Sequence, residues 1–212
     1  MLELNGKQIP TTLAEIADPA RAALLIWDME NAIAPNAFNY QEIAGNLKTL
    51  AAAARAAGVQ VFYSVQTNYD LAREEAAPWV RVRMKRGNVS DPRELIAKEK
   101  DDPHGREIVA GLKPEAGDIL FQKRRPDGFV GTDLDLMLRS RGIKAIVIGG
   151  VATEGGVEGT ARTGRNLGYD MIVLRDGSGS RNRELHDLAL RLMERTHFDV
   201  ATCAEVAAIW RR

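Results

Sequence analysis

The chain has 212 residues, with 29 Lys and Arg balanced by 29 Asp and Glu, 45% hydrophobic residues and one cysteine. The length suits one domain over 1–212, and zero formal charge lacks the basic surplus that nucleic-acid binding needs. The longest apolar run is far short of the ~20 residues that span a bilayer, the start has no signal-peptide pattern, and a lone cysteine excludes an internal disulfide or a cysteine metal cluster.

Short apolar runs at 22–27 (AALLIW), 59–65 (VQVFYSV) and 145–149 (AIVIG) read as buried parallel strands. Weaker runs at 119–122 and 171–174 look similar, and 198–201 is marginal. Helical patterns separate them. Residues 43–57 place Leu47, Leu50 and Ala54 on one face and stop at Gly58. Residues 133–141 follow Thr132, a good N-cap, and end at Gly142. Residues 157–167 end at Gly168, and 185–195 carry Leu188, Leu192 and Met193. Strands alternating with helices predict an α/β protein: a three-layer α/β/α sandwich around a mainly parallel, Rossmann-like sheet of about six strands. The charged stretch 70–113, with Pro78, Pro92 and Pro103, breaks this rhythm. It reads either as a lid or oligomer contact, or as a surface loop with one short helix.

In an open parallel sheet, ligands bind beyond the carboxyl ends of the strands, so the residues there carry the functional expectation. Asp28 ends the first strand. A desolvated carboxylate there suits acid or base work; a structural role capping the next turn is the alternative. Lys123 either pairs with Asp28, binds an anion, or is solvated. Gly155-Gly156 is either a cradle of backbone N–H groups for an anion or a tight strand-to-helix turn. Arg81, Arg83, Lys85 and Arg86 beside Trp79 form either a carboxylate-binding lid or a solvated or partner-facing surface. Neither a dinucleotide fingerprint nor a P-loop is present, so no nucleotide cofactor is expected. His104, His186 and His197 lack metal-ligand spacing, so no metal is expected. DGSGS at 176–180 is not a nucleophile elbow, and Cys203 reads as a small core residue.

Three segments together carry a resemblance. ALLIWDMENAI, GDILFQKRRPDGFVGTDLDLMLRSRGI and IGGVATEGGVEGTARTGRNLGYDMIVLRDGSGS occur in this order, and the chain resembles the isochorismatase-like, or cysteine hydrolase, superfamily. The resemblance implies main-sheet strand order 3-2-1-4-5-6, a hydrolase of a small and carboxylated substrate, and homo-oligomers. The tail Trp210-Arg211-Arg212 is a candidate oligomer contact. The family's Asp-Lys-Cys triad falls on Asp28, Lys123 and Gly156. Glycine supplies no nucleophile, which implies thiol-free chemistry such as that of true isochorismatases, which also carry glycine there. In that branch the aspartate protonates an enol ether and a glutamine contributes, matched here by Gln66. The resemblance further implies a cis peptide at Val151–Ala152, before Thr153, turning backbone N–H groups toward substrate near Gly155. Water-mediated C–N hydrolysis and a silent ligand-binding member are the alternatives. A cytoplasmic protein acting on a small molecule, with neither nucleic acid nor membrane as partner, is the expectation.

Overall fold

The computed structural model describes residues 1–98 and 102–212. It opens with a two-stranded hairpin, β1 (Leu2–Leu4) and β2 (Lys7–Ile9), closed by Asn5-Gly6 with both residues at positive φ. A short helix, α1 (Leu13–Ile16), follows a capping box in which the Thr12 hydroxyl and the Glu15 carboxylate each accept from the other's backbone N–H.

Among the described residues, the main sheet has six strands, all parallel. They are β3 (Ala22–Trp27), β4 (Gln60–Gln66), β5 (Ile119–Lys123), β6 (Ala145–Val151), β7 (Asp170–Gly179) and β8 (Asp199–Ala201). Their order in space is β5-β4-β3-β6-β7-β8, which is 3-2-1-4-5-6 in main-sheet numbering. Every residue of β3 and β6 is buried. Helices cover both faces, so central strands are apolar throughout rather than alternating.

Successive side chains of β3 enter two cores. Leu24 and Ile26 pack with Leu47 and Leu50 of α2 (Tyr40–Ala56). On the other face, Leu25 and Trp27 pack with Leu134, Val157 and Met193. That layer holds α5 (Leu134–Arg139), α6 (Glu158–Asn166) and α7 (Arg183–Arg195). Each fully buried aliphatic side chain contributes roughly 1.5–3 kcal/mol. The last helix, α8 (Cys203–Trp210), lies beside α2.

Several expectations are corrected. The stretch 70–113 is no surface loop with a single helix. It holds α3 (Ala77–Gly87) and α4 (Pro92–Lys98), then returns to bury Ile108, Val109 and Leu112 in the α2-side core. The run at 171–174 is only part of the fifth main-sheet strand, because β7 runs on through 176–178 so that Ser178 pairs with Gly150 and Gly179 with Val151. On α7 the inward face is His186, Ala189, Leu190 and Met193; Leu188 and Leu192 point outward, 52% and 44% exposed. Trp210 is no surface contact: it is buried, and its indole N–H donates to the Ala17 carbonyl over 2.8 Å.

Candidate active site

The order of strands reverses between β3 and β6, and the ends of four strands converge beside that point. Asp28 follows β3, Gln66 and Lys123 end the paired strands β4 and β5 in matching register, and residues 152–156 follow β6. At Asp28 the chain turns out of the sheet with φ +47°, a region that Asp tolerates better than most residues. Ser64 stabilises this turn from β4. Its hydroxyl oxygen accepts the Asp28 N–H at 2.9 Å, and the hydroxyl donates to Asp28 Oδ1 at 2.7 Å.

The other carboxylate oxygen, Oδ2, pairs with Lys123 Nζ at 2.8 Å. Both side chains are buried, Lys123 almost completely at 1% exposed. The ammonium also donates to Gln66 Oε1 and sits 4.7 Å from the centre of the Trp27 ring. Burial pushes the Asp28 carboxyl above its usual range, against the opposing pull of Lys123 and Ser64. Desolvation outweighs the charge of the adjacent cation.

A second carboxyl lies two residues further on. Glu30 is 1% exposed and accepts the Gln66 backbone N–H at 2.6 Å. Burial pushes it up to about 7, with the Asp28 charge adding to the rise. Between pH 4.5 and 7 the unfolded chain releases this proton while the folded chain keeps it. Stability from Glu30 is therefore complete below pH 4.5 and lost as the pH climbs through 7, a change of roughly 3 kcal/mol. Glu30→Gln removes the titration, and its amide oxygen still accepts from Gln66. Urea unfolding from pH 5 to 8 is expected to show the variant gaining on wild type as pH rises; a constant difference would overturn this.

A cavity of about 460 Å³ opens over the pair. Asp28, Gln66, Trp79, Lys123, Ala152, Gly155 and Gly156 line it. Val151 and Thr153, expected at the substrate, are not among its walls. Val151 is buried in β6, and the Thr153 hydroxyl donates to the Gly179 carbonyl while its oxygen accepts a hydrogen bond from His186 Nδ1 at 2.7 Å. The Val151–Ala152 peptide is cis. α3 forms one wall through Trp79, Arg83 and Arg86, spaced along one helical face. Arg125 stacks 5.0 Å from the Trp79 ring centre and pairs with Glu75 at 2.7 Å. Arg124 lies over Tyr69, its buried Nε without an acceptor. Five basic side chains and two carboxylates line the cavity, which favours an anionic occupant.

Position 156 has no room for a side chain. A Cβ added there would stand 1.9 Å from Trp27 Nε1 and 2.4 Å from Cε2. Cys203 does not substitute for a nucleophile. It is buried in the α2-side core, where desolvation pushes its thiol well upward, into the inert range for cysteine. Sequence reasoning missed Ser64, Trp27 and Glu75. Ser64 and Trp27 sit inside apolar strands, where each reads as a core residue.

The fold and these strand-end groups define an isochorismatase-type hydrolase. A family model for the isochorismatase domain matches residues 22–206, and the chain belongs to the isochorismatase family. Among curated relatives, it is 34% identical over 207 residues to ureidoacrylate amidohydrolase RutB of Enterobacter sp., with 88% of each chain covered. It is 35% identical over 179 residues to the Pantoea ananatis protein of the same name, covering 76% of this chain and 70% of that one. Among solved structures, a cysteine hydrolase from Pseudomonas syringae pv. phaseolicola superposes with a TM-score of 0.78 at 25% identity, over 92% of this chain and 94% of that one.

Proposed function

We propose that the protein hydrolyses a small carboxylated substrate by direct attack of water, without a covalent enzyme intermediate, and that enol-ether cleavage is its reaction type. One observation carries this reading: the Asp28–Lys123 pair is intact and buried, while the indole of Trp27 fills the volume a nucleophile at 156 would need. In an enol ether, the Asp28 carboxyl gives its proton to the vinyl carbon. Water adds to the resulting oxocarbenium carbon and returns a proton to the Asp28 carboxylate, and the hemiketal releases its alcohol to leave a ketone. The raised proton affinity of Asp28 keeps the acid form available. Lys123 and the arginines of the cavity hold the substrate's carboxylate.

A second reading has its own support. The curated relatives are named as amidohydrolases of ureidoacrylate. Here Asp28, as carboxylate, would take a proton from water attacking a C–N bond. Product analysis separates the two. Incubation with isochorismate is expected to release pyruvate; release of ammonia or an amine from ureidoacrylate, with no pyruvate from isochorismate, would replace the first reading by the second. Release of neither, with saturable binding of either carboxylate, would mark a ligand-binding member.

A further inference from the structure

We propose that Trp27 is a positioning residue of this site, volume-coupled to Gly156: its indole takes the space of the missing side chain and holds the Lys123 ammonium against Asp28. The catalytic importance of that hold rests on the function proposed above; the coupling itself does not.

Three contacts fix the ring. It is fully buried, and it lies between glycines from two separate segments. A Cβ on Gly156 would meet Nε1 at 1.9 Å, Cε2 at 2.4 Å and Cζ2 at 2.8 Å, and a Cβ on Gly128 would meet Cζ3 at 2.9 Å. All four distances lie inside contact range, so an added methyl at either position displaces the indole. The third contact is Lys123, whose Nζ stands 4.7 Å from the ring centre. The ammonium is thus held on three sides, by the Asp28 carboxylate, the Gln66 amide oxygen and the π face. A desolvated cation over an indole face is attracted by the ring quadrupole. A thiol at 156 and a tryptophan at 27 therefore exclude one another. Reintroducing the nucleophile by a single substitution cannot restore a working thiol; the two positions must change together.

A double-mutant cycle tests the coupling without substrate. Gly156→Cys and Trp27→Val are each expected to lower Tm by about 10 °C. The combination is expected to lose clearly less than their sum, since sulfur then occupies the space vacated by the ring. Its new thiol should react with a disulfide reagent, counted above wild type, whose single thiol is the buried Cys203. The milder set Gly156→Ala, Trp27→Phe and their combination gives the same readout if a valine variant does not fold. Losses that simply add, or a Gly156→Cys protein as stable as wild type, would overturn the coupling.

The hold on Lys123 is read from Asp28 itself. The charged groups set against Asp28 are Lys123 and Glu30. Carbon NMR of the carboxyls, with Asp28→Asn as the assignment control, follows the titration. Trp27→Leu is expected to move the Asp28 midpoint upward, because a loosened ammonium stabilises the carboxylate less. A ring that only fills space would leave that midpoint where it is, and an unmoved midpoint overturns the positioning role. If neither pyruvate nor amine is ever released, the functional reading falls while these two measurements still decide the inference.

Discussion

Asp28→Asn is expected to lower kcat by about 10³-fold while KM stays within about threefold. The amide is nearly isosteric, so the loss isolates the proton. Ser64 can still donate to the side-chain oxygen that replaces Oδ1, and the buried Lys123 keeps Gln66 Oε1 as acceptor. The fold should therefore survive, as a near-wild-type circular dichroism spectrum and a cooperative melt would show. What disappears is the carboxyl whose proton affinity burial raises. Steady-state kinetics on whichever substrate yields product supply the check. An Asp28→Asn enzyme retaining a tenth of wild-type kcat would remove Asp28 from the chemistry and leave it a structural residue.

Lys123→Met carries the largest expected cost to stability, about 3–5 kcal/mol at pH 8. Methionine replaces the volume of the side chain but leaves the Asp28 carboxyl buried with only the Ser64 hydroxyl as partner. Without the ammonium, the proton affinity of Asp28 in the folded state rises further, because both the charge and the hydrogen bond of Lys123 had pulled it down. A group raised in this way contributes stability that is complete below its unfolded value of about 3.8 and lost as pH climbs toward the folded one. The deficit of the variant should therefore widen with pH, small near pH 4 and full at pH 8. Urea midpoints at pH 4, 6 and 8 test it; a deficit independent of pH would mean that packing, not the orphaned carboxylate, is what Lys123 supplies.

The layered fold was legible because burial on both faces makes a parallel strand read as an unbroken apolar run. The run at 22–27 coincides with β3, and the other strands were displaced by a residue or two at most ends, β7 excepted. β7 continues through polar Asp176-Gly177-Ser178, where pairing with β6 overrides composition. The N-terminal hairpin was missed although Asn5-Gly6 is a strong turn signal; its strands are three residues each and bury nothing, so no period-two pattern marks them. Helices α1 and α8 were missed as well, although Thr12–Glu15 and Thr202–Glu205 each carry the residues of a capping box. At the site, Asp28 and Lys123 were legible as charged residues closing apolar strands. Trp27 was not, since an aromatic at the end of a buried strand looks like core until Gly156 is seen against its indole nitrogen. Arg83 and Arg86 could be grouped as a basic cluster, but only the place of α3 beside the strand ends sets them, and not Lys85, along the cavity.

The placement of sulfur in this molecule bears on the conditions it can work in. Hydrolases that rely on a thiolate lose their working group when oxidants convert it to sulfenic and higher acids, and the same ionisation that makes sulfur reactive makes it vulnerable. The charged and amide groups around this cavity are carboxyl, ammonium, amide and guanidinium, none of which peroxide attacks in that way. The chain's single sulfhydryl, at the start of α8, is buried and held in its un-ionised form. A glycine at 156 with an indole against it thus keeps a thiol out of the cavity, and under the proposed water-attack chemistry an oxidant finds no sulfur there to convert.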